Sequence, residues 1–157
     1  MTPSPPMYLE DLSVGQIFRT SSVRLEADEI RSFASQFDPQ PFHLDEASGR
    51  ASLFGGLVAS GWHTAALTMR LMVQGEFRIA GGLVGAGVES IRWPRPVRPG
   101  DILRVESEIV EIRPSSSNPE RGVVRVKSTT FNQDDQPVMA QVAYVIVPRR
   151  ERASGSE

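Results

Sequence analysis

The chain contains no cysteine, which excludes disulfides and thiolate metal sites. It has no apolar run approaching the roughly 18 residues of a membrane span. Its opening stretch, MTPSPPMYLEDL, lacks the apolar core of a signal peptide. A cytoplasmic address with no membrane partner is the default expectation. Nor is there a basic surplus: 17 Lys and Arg stand against 19 Asp and Glu, a net charge of −2. That balance leaves no electrostatic footprint for nucleic acid. No internal repeat, low-complexity tract or second domain is visible. With 157 residues, 39% hydrophobic and 23% charged, one globular domain with a sizeable core is expected. Its span is set at residues 7–149, with residues 1–6 and 150–157 expected to be disordered tails because they are proline-rich or polar.

What is present concentrates between Phe33 and Thr64. This stretch holds both histidines, a group of carboxylates and a glycine-rich passage. Ala27 to Phe37 reads as a helix, with Ile30, Phe33, Ala34 and Phe37 at three- and four-residue spacing and Asp28 and Glu29 in the first turn. Pro39 stops it, so the helix delivers Asp38 at its C-terminal edge. Asp38 and His43 are five residues apart with Pro39 and Pro41 between them, which predicts a stiffened loop holding the two side chains in one relation. Phe54-Gly55-Gly56 and Ser60-Gly61 then lead into a second helix, Gly61 to Val73, apolar almost all round. A helix of that kind and length is expected in the core, wrapped by its neighbours. A glycine at its mouth lets a ligand approach unpaired backbone N–H groups.

The C-terminal half supplies the wrapping. Strands are predicted near Leu83–Arg92, Ile102–Ile112, Gly122–Phe131 and Val138–Val147, after one early strand at Gln16–Thr20. Leu103, Val105 and Ile109 alternate with Arg104, Glu106 and Glu108, and Val124 and Val126 with Arg125 and Lys127. Short polar links, including Pro114–Pro119, favour an antiparallel sheet. The fold class is α+β, a sheet curled around a helix.

Taken singly, Asp38 is a turn residue and His43 a surface or core histidine. His63, on the second helix, reads as a packed histidine bonded to a backbone carbonyl. Gly55 and Gly56 read as close-packing glycines, and Ser115–Ser117 as a solvated loop tip. A zinc site drawn from His43, His63, Asp38 and Asp45 has no recognised ligand spacing.

The run Asp38-Pro39-Gln40-Pro41-Phe42-His43 resembles the D-x-N-P-[apolar]-H signature of the MaoC-like, (R)-specific enoyl-CoA hydratases. Val58-Ala59-Ser60-Gly61-Trp62 is similar to the apolar-small-His-Gly-[apolar] segment that opens the central helix in that family. Asp45 and Ala47 fall where members often carry an acidic and a small residue. Gln40 stands in place of Asn, Ser60 in place of His, and Met69 near a serine that some members carry. The resemblance implies a hot-dog fold, a homodimer or dimer of dimers, and reversible addition of water to the 2,3-double bond of an acyl-CoA thioester, with no metal or redox cofactor. It places Asp38 and His43 on the attacking water and the Gly61 N–H at the thioester oxygen. Gln40, Ser60 and Trp62 are placed against the substrate. The alternatives are an acyl-CoA thioesterase, or an acyl-thioester binding module without turnover.

Overall fold

The computed structural model describes residues 5–150. Helix α1 spans Ala27–Phe37, within the predicted bounds, and buries Ile30 and Ala34 completely, one turn apart. Its last turn runs into Asp38, whose φ of −153° and ψ of 66° lie outside the helix, as the residue before a proline requires. The next segment differs from the expected loop. Pro41–Leu44 forms a short helix, α2, with Pro41 in its first turn. Pro39 stops the first helix, and Pro41 starts the next, because at the first position of a helix its missing N–H costs nothing. Helix α3, Glu46–Arg50, follows, with Asp45 as its cap accepting from the Ser48 N–H. Helix α4 spans Gly61–Gln74, and the Ser60 hydroxyl accepts from the Trp62 N–H at its mouth.

Six strands form one antiparallel sheet: β1 Ile17–Arg19, β2 Val23–Arg24, β3 Val84–Arg92, β4 Ile102–Pro114, β5 Arg121–Phe131 and β6 Pro137–Pro148. Their order is β1-β4-β5-β6-β3, with β2 paired to β4. Leu103, Val105 and Ile109 of β4, and Val124 and Val126 of β5, point inward as the alternation predicts. β3 lies at an edge and is exposed over most of its length. Its register against β6 shifts between Gly85 and Gly87 and again between Val88 and Ser90.

The expected burial of α4 on every side is not what the structure has. Its buried face carries His63, Thr64 and Thr68 together with Leu67, Leu71 and Met72. Trp62, Met69 and Val73 face outward, 58%, 46% and 53% exposed. The inward hydroxyls are satisfied. Thr68 Oγ1 donates to the Thr64 carbonyl at 2.8 Å, so across the 2.6 Å contact Thr130 Oγ1 is the donor. Beside them Ser107 and Ser128 of the sheet pair at 2.8 Å. The apolar core falls into two clusters, one holding Phe18, Leu71 and Phe77, the other Leu25, Ile30 and Leu67.

Arg150, assigned to the tail from sequence, is held by ion pairing to Asp11 at 2.6 Å and by its N–H to Glu10. Pro5 and Pro6 are exposed and outside any element. The remaining tail residues, 1–4 and 151–157, lie outside the described residues.

Candidate active site

Asp38 leaves the end of α1 and His43 sits in α2, and the break at Pro39 turns the two toward each other. His43 Nε2 stands 3.3 Å from Asp38 Oδ2. The other ring nitrogen, Nδ1, lies 2.6 Å from the Val58 carbonyl oxygen. A carbonyl only accepts, so Nδ1 carries the proton and Nε2 is the nitrogen left to face the carboxylate. The Val58 N–H donates back to the Phe42 carbonyl at 3.2 Å, so the backbone that holds the ring is itself tied to α2.

Asp38 is gripped from three directions. The Ser60 hydroxyl donates to Oδ2 at 2.7 Å and the Gln40 amide to Oδ1 at 2.7 Å. Burial by itself would raise the Asp38 pKa; the bonds from Ser60 and Gln40 and the charge of His43 outweigh it and hold the carboxyl below its ordinary 3.8. Asp38 is therefore a carboxylate at neutral pH. Ser60, placed against the substrate from sequence, is completely buried. Its hydroxyl is committed to Asp38 on one side and to the Trp62 N–H on the other. Gln40 likewise has its amide on the carboxylate. Trp62 does stand on the cleft, exposed and edge-on to Trp93 at 5.3 Å between ring centroids.

Gly61 opens α4, and its N–H has no acceptor among the described residues. A Cβ there would come within 2.6 Å of the Trp93 ring, whose indole N–H donates to the Gly61 carbonyl at 2.9 Å. Only glycine lets the indole lie this close. A second close approach left no signature in the sequence: a Cβ on Gly49 would fall onto the backbone of Gly56 and Leu57. Gly49 thus lets α3 press against the glycine passage. Gly56 has more room, with Arg98 Nη1 3.3 Å from where its Cβ would be.

The far wall of the cleft comes from the β3–β4 connection. It runs beside the glycine passage through three bonds: Trp93 to Gly61, the Ala59 N–H to the Val97 carbonyl at 2.9 Å, and Arg98 to the Phe54 carbonyl at 2.6 Å. Between the two walls is a cleft of about 540 Å³, with Asp38, His43 and Gly61 among its lining. Phe42, Phe54 and Val58 supply apolar surface.

Asp45 caps α3. His63 departs from the expectation of a carbonyl bond. It is buried and stacked on Phe33 at 4.5 Å with planes 4° apart, and its Nδ1 has no hydrogen-bond partner among the described residues. Burial depresses its pKa below the ordinary 6.5, only partly countered by Glu29, with Arg70 lowering it further.

A family model described as MaoC like domain matches residues 11–132. The 3-hydroxybutyryl-CoA dehydratase of Methylorubrum extorquens is 30% identical over 94% of this chain and 88% of its own length. Among solved structures, the MaoC-like dehydratase from Rhodospirillum rubrum superposes at a TM-score of 0.90 with 51% identity, covering 93% of this chain and 99% of that one. The (R)-hydratase from A. caviae gives a TM-score of 0.72 at 28% identity, covering 88% of this chain and 99% of that one. The architecture, an antiparallel sheet curled around one central helix, is the hot-dog fold.

Proposed function

The chain belongs to the MaoC-like dehydratase family, and from that premise we propose that it is an (R)-specific enoyl-CoA hydratase, adding water reversibly across the 2,3-double bond of an enoyl thioester. The observation that carries the reading is the 3.3 Å approach of His43 Nε2 to the Asp38 carboxylate on the wall of an apolar cleft. A water on the cleft side, within hydrogen-bond reach of both atoms, can be deprotonated as its oxygen bonds to C3. The proton released is the equivalent of the one C2 takes up on the same face, so the reaction balances without another reactant. As C3 is attacked, negative charge moves to the thioester oxygen, and the Gly61 N–H at the positive end of α4 is the donor for it.

Ser60 and Gln40 act in this scheme by fixing the carboxylate. The first ties Asp38 to the start of α4, so base and oxyanion donor are referenced to one helix end. Gln40 is long enough to fold back on the carboxylate two residues before it, a use of the amide that its side-chain length permits.

The same reading includes a two-fold dimer. β3 presents an unpaired edge, and α4 turns Trp62, Met69 and Val73 outward while burying hydroxyls. An apolar face and a bare strand edge are surfaces a second copy would cover.

Hydration of crotonyl-CoA, followed by loss of the conjugated thioester absorbance and by product identification, tests the function. 3-Hydroxybutyryl-CoA is expected. Free CoA would identify a thioesterase, and binding without either product a non-catalytic module.

A further inference from the structure

Two guanidinium groups line the cleft, and the reaction uses neither. Arg95 and Arg98 lie on the wall opposite the catalytic pair, in the run Trp93-Pro94-Arg95-Pro96-Val97-Arg98-Pro99. Pro94, Pro96 and Pro99 fix their own φ angles and restrict the residues before them, so this wall is stiff rather than a flexible surface loop. Both arginines are exposed to solvent, yet neither forms an ion pair among the described residues. Arg95 makes no side-chain hydrogen bond among them, and the Arg98 guanidinium bonds only the Phe54 carbonyl, its backbone N–H going to Asp101. Glu46 faces Gly56 from the same side as Arg98 without closing to an ion pair. The sole carboxylate in the lining is Asp38, already held by Ser60, Gln40 and His43. An apolar cleft with two cations left over fits a ligand that is apolar in one part and anionic in another.

We propose that Arg95 and Arg98 form an anion subsite along this wall, binding a phosphate or carboxylate oxyanion of the thioester substrate; the proposal rests on the thioester reading above. The anion has two sources, the phosphates of the carrier or a carboxylate on the acyl chain. Either way the arginines set which thioesters are held, and Asp38 and His43 set what happens to them.

Saturated acyl thioesters cannot be hydrated, so their affinity reads the subsite apart from turnover. Calorimetric titration of the full chain, with Arg95→Gln and Arg98→Gln alongside, uses butyryl-CoA, succinyl-CoA and butyryl-pantetheine. If phosphate is the ligand, the parent binds butyryl-CoA more tightly than butyryl-pantetheine, and each variant weakens butyryl-CoA about tenfold, the size of one lost charge-assisted bond, leaving butyryl-pantetheine unchanged. If an acyl carboxylate is the ligand, the parent prefers succinyl-CoA to butyryl-CoA and each variant removes that preference. Arg95→Gln is the cleaner change, since Arg95 has no partner whose loss could disturb the fold, and thermal melts of both variants confirm that they remain folded. Parent affinity in both variants for all three thioesters overturns the subsite, as does failure of the parent to bind any of them. Crotonyl-CoA hydration in the same samples separates the two readings. Arginine-dependent binding without hydration leaves the subsite standing and removes the hydratase, and hydration with arginine-independent binding does the reverse.

Discussion

His43 and His63 are almost equally hidden, 5% and 7% exposed, yet their surroundings assign them opposite work. His43 has each nitrogen facing a polar atom, the Val58 carbonyl on one side and the Asp38 carboxylate on the other. His63 lies flat on Phe33 with Nδ1 facing nothing. One pocket is built to hold an imidazole whose free nitrogen meets a carboxylate. The other is built for a flat ring and carries the cost of burying an unsatisfied nitrogen. Burial therefore does not tell the two histidines of this chain apart; the partners of their nitrogens do.

The largest effects should come from the first pocket. Asp38→Asn and His43→Gln are each expected to lower kcat/KM for crotonyl-CoA by about 100- to 10,000-fold while butyryl-CoA binding persists. Because both act on one water, the double variant should lose little more than the worse single one. An Asp38→Asn protein retaining more than about a tenth of the parent rate would remove the general-base role.

Gly61→Ala comes next. Its methyl group must push the Trp93 ring aside, and since Trp93 is 39% exposed the ring can move without unfolding the protein. Alanine keeps the N–H, so the expected rate loss, up to about a hundredfold, comes from shifting that donor as Trp93 is displaced, with a change in tryptophan emission and a small change in melting temperature. A collapsed melt would assign the glycine to packing alone.

Ser60→Ala removes both the α4 cap and a donor to Asp38. The cap alone is worth about 1 kcal/mol of stability, and the rate should fall less than in Asp38→Asn because the carboxylate remains. An unchanged rate would show that Asp38 needs no positioning from this side.

The smallest effect belongs to the second histidine, and it separates the pockets by pH. His63 refuses a proton when folded that the unfolded chain accepts, so the parent should lose stability as pH falls below 6.5. The charged groups bearing on the ring are Glu29 of α1, which favours the proton, and Arg70 of α4, which opposes it. His63→Phe should keep the parent rate and flatten the stability profile between pH 7 and about 5. Asp38, whose pKa is lowered in the fold, contributes stability that is lost only below its ordinary 3.8, so Asp38→Asn should leave the upper window untouched. Equal slopes for His63→Phe and parent would place the titrating group elsewhere.

Much of the frame was legible because local rules and tertiary packing agree in it. α1 has its periodic face and its proline stop, and β4 and β5 alternate inside and outside. The pairing of Asp38 with His43 was legible for the same reason, since a few residues with two prolines leave few ways to arrange them. β2 was missed because two residues carry no period. α4 was misread because average hydropathy does not say which face is buried, and here two threonines turn in while Trp62 and Met69 turn out. Ser60, placed on the substrate, is instead fully buried with its hydroxyl on Asp38, while Gln40 lines the cleft and also bonds Asp38. The Gly49 contact and the Trp93–Arg98 wall depend on segments distant in sequence, which no local pattern announces.

That wall has a consequence for how such a chain can change over time. Asp38, Gln40, His43, Ser60 and Gly61 all lie within one short span of sequence, while the opposite side of the cleft arrives from a separate connection between two strands. Among the described residues, three hydrogen bonds join the two sides near the site. Residues such as Arg95, which bond to nothing in the catalytic span, can be exchanged without moving the carboxylate or the imidazole. On the proposed reading, reaction and substrate choice are encoded in separable segments, so a duplicated copy could drift toward a new thioester by altering a handful of codons in one segment while the chemistry in the other is inherited intact.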